Sequence, residues 1–176
     1  ISLCLNKGIP VISGTTGWLE NKPKAEALCH EKNGAFIHAT NFSLGVNIFF
    51  QLNEYLAKIM GSQPQYTVGI EEIHHTQKLD APSGTAITLA EGIIKNASKS
   101  GWTLENPSED EIPITAKRID AVPGTHTVSY NSNVDSISIN HIAHNREGFA
   151  LGAVIAAEWI IGKKGVFTMK DVLNLP

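Results

Sequence analysis

The chain reads as an α/β protein, and three observations predict this. Residues 1–42 alternate short β-like runs with a helical segment, the pattern that builds parallel sheets with crossover helices. Residues 46–60 carry apolar side chains at three- and four-residue spacing, as a long amphipathic helix does. Residues 112–142 hold three consecutive alternating or β-branched segments separated by turn residues, so the second half is expected to be largely β. With 176 residues, 42% of them apolar and 18% charged, the composition is that of an ordinary globular protein of one or two domains.

Taken in order, residues 10–13 form a β-like run that breaks at Gly14-Thr15-Thr16-Gly17. Residues 22–33 are expected to be helical and residues 35–39 to form a second strand. Such a sheet gathers its ligands at the carboxyl ends of its strands, where residues 14–17 and 40–42 fall, although ordinary turn chemistry accounts for Gly14 and Gly17 taken alone. After Asn41-Phe42-Ser43, the residues Val46, Phe49, Phe50, Leu52, Leu56, Ile59 and Met60 mark a helix that stops at Gly61. Residues 66–73 alternate like a strand, residues 83–97 read as a helix, and residues 99–111 as a polar loop. Strands follow over 112–119, 125–131 and 136–142, with turns at Pro123-Gly124 and residues 133–135. Residues 146–161 and 169–175 return to helical pattern. There is no internal repeat and no low-complexity segment.

Composition narrows the function. A net charge of −3 without a cluster of Lys and Arg argues against nucleic acid as a partner. The most apolar stretch, residues 149–162, is too short to span a bilayer and contains Glu158, so no membrane is expected. Cys4 and Cys29 match no disulfide or metal-ligand spacing; both are expected to be buried, and their sparse use fits a reducing, cytoplasmic setting. No charged leader segment is seen, and the chain opens on Ile1 rather than Met, which leads to the expectation that something upstream is missing.

Chemistry concentrates between the strand at 66–73 and the helix at 83–97. Glu71, Glu72, His74, His75, Lys78 and Asp80 all lie there, followed by Ala81-Pro82-Ser83-Gly84-Thr85. Pro82 disfavours helical geometry at Ala81 and Ser83 is a good N-cap, so Gly84 and Thr85 should present backbone N–H groups at a helix start. That end suits a carboxylate or phosphate, and Gly84 lets it approach closely. Lys78 can neutralise a second acidic group or release a proton, and His74 can do the same near neutral pH. Singly, these residues read as a surface ion pair and polar strand residues. Their coincidence within residues 74–85 favours a site. A zinc site on His74 and His75 is not expected, because adjacent strand side chains face opposite ways and no third ligand lies at a familiar spacing.

The run His74-His75-Thr76-Gln77-Lys78-Leu79-Asp80-Ala81-Pro82-Ser83-Gly84-Thr85 resembles the signature of the 4-hydroxy-tetrahydrodipicolinate (dihydrodipicolinate) reductase family of lysine and diaminopimelate biosynthesis. Gly14-Thr15-Thr16-Gly17 resembles that family's second cofactor loop, Asn41-Phe42-Ser43-Leu44-Gly45-Val46-Asn47 its hinge, and Asn145-Arg146 its last substrate loop. The resemblance implies a partial Rossmann-like dinucleotide-binding domain, residues 1–42 and 146–176, and an α+β substrate-binding and tetramerisation domain with a mixed sheet, residues 43–145. It further implies reduction of a small cyclic dicarboxylate with NADH or NADPH by a cytoplasmic homotetramer, without a metal. His74 and Lys78 are implied as the catalytic, proton-delivering residues, and His75, Gly84, Thr85 and Arg146 as substrate-binding. Gly14, Thr15, Thr16, Ala39, Thr40, Asn41 and Phe42 are implied on the cofactor side, Asn41 and Phe42 bordering the nicotinamide.

The family's glycine-rich turn for the cofactor pyrophosphate is not found in this sequence, and residues 99–114 are short where some members carry a longer basic loop. The chain alone is therefore expected to bind dinucleotide poorly yet to hold pyridine-2,6-dicarboxylate, a planar substrate mimic. A rival reading makes it a tetramerisation or small-dicarboxylate-binding module without turnover. An aspartate-semialdehyde type of dehydrogenase is disfavoured because neither Cys4 nor Cys29 stands in a recognisable catalytic setting. For assembly, Thr127, Tyr130, Ile137 and Ile139 are candidates for an apolar outer face, a helix-covered face being the equal alternative.

Overall fold

The computed structural model describes every residue except Thr16, whose expected cofactor role lies outside the described residues. The chain divides into two compact units, residues 1–47 with 147–176, and residues 48–146.

The first unit is a small parallel sheet covered on both faces. Its strands β1 (Val11–Ser13), β2 (Ala35–His38) and β8 (Gly165–Phe167) lie in the order β1-β2-β8. The central strand β2 is an unbroken apolar run, which is what burial on two faces demands. Phe36 packs with Leu5, Ala25 and Cys29 of helices α1 (Ser2–Asn6) and α2 (Lys22–Glu31). Ala35 and Ile37 pack instead with Ala156, Ile160 and Met169 of helices α5 (Glu147–Trp159) and α6 (Met169–Leu173) and their ends. Parallel β1 and β2 both end at the same edge, paired Ser13 to His38, so Gly14 and Ala39 leave the sheet side by side.

The second unit is a mixed five-stranded sheet with helices on one face. Strands β3 (Thr67–His74), β4 (Gly101–Thr103), β5 (Glu111–Arg118), β6 (Gly124–Asn131) and β7 (Ser136–Ala143) are ordered β4-β5-β3-β6-β7. The pairs β4–β5 and β5–β3 are parallel, while β3–β6 and β6–β7 are antiparallel. Helices α3 (Leu44–Met60), whose residues from Ile48 onward belong to this unit, and α4 (Gly84–Ile94) cover one face. Phe49, Ala57 and Met60 of α3 and Ala86, Leu89, Ala90 and Ile93 of α4 pack on Val68, Ile70, Ile112, Ile114, Val128 and Tyr130. At about 25 cal/mol per Å2 of apolar surface removed from water, this contact dominates the unit's stabilisation.

The period of two along each strand settles which side chains join that core. Tyr130 and Ile139 lie on the helix-covered face, with Ile137 paired to Tyr130 in register. Thr127 points the other way, so the four residues do not form one outer face. The opposite face carries Thr125, Thr127 and Ser129 on β6 and Ser136, Ser138, Asn140 and Ile142 on β7, all exposed or half-buried. Four elements were not foreseen: α1, a 3-10 turn at Leu19–Asn21, β4 within the expected polar loop, and β8. No described helix is long and apolar enough to cross a membrane.

Candidate active site

Strand β3 alternates Val68, Ile70, Glu72 and His74 on its buried face, so the apolar side of the strand ends in a carboxylate and an imidazole. Register supplies their neighbours. Glu72 pairs with His126 of β6, and His74 with Arg118 of β5, which brings four polar groups together on the face that α4 covers. Glu72 is 0% exposed and His74 7%.

Glu72 is the centre of this cluster. It accepts hydrogen bonds from the Ser83 backbone N–H (3.1 and 3.0 Å to its two oxygens) and from Arg118 Nη2 (3.1 Å). Its Oε2 lies 3.5 Å from His74 Nδ1 and 3.7 Å from His126 Nε2. Burial would push this carboxyl up, but the nearby His126 and the hydrogen bonds from Ser83 and Arg118 outweigh it and hold the group at about 2. Burial and the neighbouring His126 lower His74 to about 4, the Glu72 charge offsetting part of this while Lys78 and Arg118 add to it. The His74 ring is therefore neutral at pH 7, where Glu72 is ionised.

Arg118 links this buried centre to the loop above it. Its Nε donates to the Lys78 carbonyl at 3.3 Å and its Nη2 to the Asp80 carbonyl at 2.7 Å. The loop is thus tied down through its carbonyls, while its side chains remain outside: Leu79 is 96% exposed. The Lys78 ammonium is held by both oxygens of the Asp80 carboxylate, at 2.7 and 2.9 Å, and this hydrogen bond lowers the Asp80 pKa. The loop ends at the cis Ala81–Pro82 peptide and at Ser83, whose Oγ accepts from the Ala86 N–H as the N-cap of α4 and lies 3.0 Å from His126 Nε2. A Cβ placed at Gly84 would meet nothing within 4 Å, so the amino end of α4 has room for a ligand group.

The two adjacent histidines separate, as a strand requires. His75 turns away from the buried cluster and lines a cavity of about 250 Å3 with Ala121, Val122, Pro123, Asn145 and Arg146. The turn between β5 and β6 that forms this wall is fixed to the strand end, the Ile119 N–H donating to the His74 carbonyl at 2.8 Å. A Cβ at Gly124, the next residue in the turn after Pro123, would lie 3.2 Å from His74 Nε2. Residues 121–123 thus wall the cavity while Gly124, next in the chain, lies against the buried imidazole.

Glu72, Arg118 and His126 were not singled out in the sequence for any role. The signal for Glu72 was present in the alternation of Val68, Ile70, Glu72 and His74; the other two come from strands joined by register, which one sequence does not display. The ligand atoms of Glu72, His74 and His126 lie within 4.8 Å of one another, a grouping that strand pairing makes and that spacing along the chain does not display. The Arg118 guanidinium and the Ser83 N–H already occupy Glu72, and the fixed positive charge opposes a divalent cation there.

In the first unit, Gly14 lies against Phe42: a Cβ on Gly14 would stand 3.3 Å from the Phe42 ring. The Thr15 carbonyl accepts from the Trp18 indole N–H at 2.8 Å and lies 3.2 Å from His38 Nε2. Asn41 accepts the Ser43 N–H on its side chain at 2.9 Å, and its carbonyl accepts from Asn47 Nδ2 at 2.9 Å, which shapes the segment entering α3. Gly14, Thr15, Ala39, Thr40, Asn41 and Phe42 therefore gather at the carboxyl ends of two paired parallel strands, where open α/β sheets bind nucleotides.

A parallel sheet sandwiched by helices, together with a mixed-sheet unit that sets imidazoles and a cation beside a helix start, defines a two-unit α/β enzyme. The comparisons with known proteins give its kind. A family profile described as "Dihydrodipicolinate reductase, C-terminus" matches residues 45–173. A 4-hydroxy-tetrahydrodipicolinate reductase of Christiangramia forsetii is 59% identical over 99% of this chain and 73% of its own length. One of Archaeoglobus fulgidus is 40% identical over 96% of the chain and 68% of its own length. Among solved structures, a dipicolinate-bound dihydrodipicolinate reductase from Paenisporosarcina sp. TG-14 superposes with a TM-score of 0.74 at 26% identity, covering 94% of this chain and 65% of that one. The chain belongs to the dihydrodipicolinate reductase family, a family of oxidoreductases.

Proposed function

We propose that this chain serves the NADH- or NADPH-dependent reduction of 4-hydroxy-tetrahydrodipicolinate in lysine and diaminopimelate biosynthesis, in the cytoplasm and as a homotetramer. The observation that carries the reading is the turn at residues 119–124, whose residues 121–123 wall the His75–Arg146 cavity while Gly124, next in the chain, lies against His74. A cyclic dicarboxylate needs fixed positive charge and N–H donors at its two ends. His75 and Arg146 would hold one carboxylate, and the amino end of α4 at Gly84 and Thr85 the other.

In this reading residues 1–42 and 146–176 belong to the nucleotide side and residues 43–145 to the substrate side. Gly14, Thr15, Ala39, Thr40, Asn41 and Phe42 fit a nicotinamide and its ribose, since Gly14 lets the chain pass against the Phe42 ring at the strand ends. The nicotinamide supplies hydride when bound. Lys78, held as an ammonium against Asp80, then delivers the proton to a ring carbon. His74, neutral at pH 7, takes part as a hydrogen-bonding partner and relay rather than as a standing imidazolium. The half-exposed face of β6 and β7 is the surface for packing substrate-side sheets in the tetramer.

Two measurements test this. Calorimetry with pyridine-2,6-dicarboxylate and with NADH, each added to the protein separately, should give binding of the first. A turnover assay following nicotinamide oxidation then separates a working reductase from a module that only binds or assembles. Failure to bind the dicarboxylate would remove the proposal's basis, and sedimentation as a monomer would remove the tetramer.

A further inference from the structure

The buried carboxylate of Glu72 is unused in the scheme above, and its surroundings assign it work. It is fully buried, yet it touches the start of α4 through the Ser83 N–H, the loop through Arg118, and the His74 ring through Nδ1. We propose that Glu72, clamped by Arg118, is a positioning residue that fixes His74 as its Nδ1–H tautomer and so presents Nε2 as a proton acceptor beside Gly124.

The geometry leaves little alternative. Among the described residues, His74 Nδ1 is a buried polar atom without a hydrogen bond, and Glu72 Oε2 stands 3.5 Å from it. A lone pair on Nδ1 facing an ionised carboxylate across that gap would be repelled, whereas an N–H dipole is attracted. With one proton on a neutral ring, Nε2 must then carry the lone pair. Its edge lies against the turn whose other residues wall the cavity. The charged and titratable groups around the ring are Glu72 on its own strand, Arg118 on β5, His126 on β6 and Lys78 in the loop. Of these only Glu72 is negative, so it alone orients the N–H.

Arg118 completes the arrangement. Without a countercharge Glu72 would be a bare buried anion, and the same guanidinium that supplies the charge binds the Lys78 and Asp80 carbonyls. The position of the loop bearing Lys78 and the tautomer of His74 are thereby set by one carboxylate. Because Nε2 accepts in the resting state, His74 can accept a hydrogen bond from a substrate group or a water, while the proton to be delivered starts on Lys78. This role rests on the functional reading for its consequence in turnover, but the tautomer is a property of the unliganded protein.

The experiment has two arms for that reason. Nitrogen-15 resonances of His74 in the unliganded protein at pH 7 should show Nδ1 protonated and Nε2 bare, and Glu72→Gln should move the ring toward a tautomer mixture. An Nε2-protonated ring in the unsubstituted protein, or an unchanged tautomer in Glu72→Gln, overturns the proposal whatever the enzyme's activity. In the second arm Glu72→Gln and the milder Arg118→Lys are compared in turnover. In the full-length enzyme each should lower kcat at least tenfold and leave nicotinamide binding unchanged, with Glu72→Asp recovering part of the Glu72→Gln loss. If Glu72→Gln does not fold, Arg118→Lys carries the test; a kcat within twofold of the parent in both variants overturns the role. Absence of any reductase activity in the parent, with the tautomer as stated, would count against the functional reading and leave the positioning of His74 intact.

Discussion

Gly84 and Lys78 show how two residues of one loop answer to different tests. Since a methyl group at Gly84 would meet no protein atom, Gly84→Ala should leave the melting temperature unchanged. The same methyl would stand where a carboxylate is proposed to approach the helix end, so affinity for pyridine-2,6-dicarboxylate should fall about tenfold, near 1.4 kcal/mol, by calorimetry. Lys78 is tied to Asp80 and not to the core, so Lys78→Ala should fold normally. Loss of the proposed general acid in the full-length enzyme should cut kcat by about 100-fold or more, with NADH affinity unaltered; an equal loss in both would show that the residue does not divide the work as proposed. At this scale the sequence displayed the loop well, because its residues are contiguous. His126 and Arg118 stayed hidden because only strand pairing brings them to Glu72 and His74, and pairing is not written in any one segment.

Among the elements, those longer than about two turns or five strand residues were legible, since a period needs several repeats to show. Helices α2, α3, α4 and α5 and strands β3, β5, β6 and β7 were foreseen to within a few residues, and so were the short β1, β2 and α6, which the turn residues around them set off. Helix α1 has five residues, and β4 and β8 have three each; these are set by docking against α2 and by edge pairing to β5 and β2. The faces of β6 were harder than its existence, because Thr127 and Tyr130 are three residues apart and so point opposite ways. Helix α5 adds a testable constraint. A Cβ on Gly152 would fall 1.8 Å from the Phe42 carbonyl oxygen, a backbone atom that cannot swing aside. Gly152→Ala should therefore push α5 off the segment leading into α3 and cost about 2 kcal/mol or more. Denaturant unfolding would read this as a lower midpoint, and a stability equal to the parent would mean that the helix shifts without cost.

Across the whole molecule, the buried titratable groups bound the pH range of stability. His74 has a folded pKa of about 4 against an ordinary 6.5, so between those values the unfolded chain binds a proton that the folded one refuses. Stability is lost as pH falls through that interval, and burial lowers His38 and His141 in the same direction. Glu72, folded at about 2 against an ordinary 4.5, contributes stability that is present above 4.5 and disappears as pH drops toward 2. The two intervals join, giving a continuous acid decline from about pH 6.5 downward, steepest where the groups overlap near pH 4 to 4.5. At the alkaline end burial raises Tyr130 to about 12, so the unfolded chain ionises first and stability falls from pH 10 upward. Urea midpoints measured from pH 3 to 11 should therefore form a plateau between about pH 7 and 9 with a fall on either side. In Glu72→Gln the part of the acid fall below pH 4.5 should flatten while the part above it remains. A parent protein whose midpoint held constant from pH 7 to 4 would show that the imidazole and carboxylate beneath the loop at residues 75–82 are not sealed from water as the fold places them.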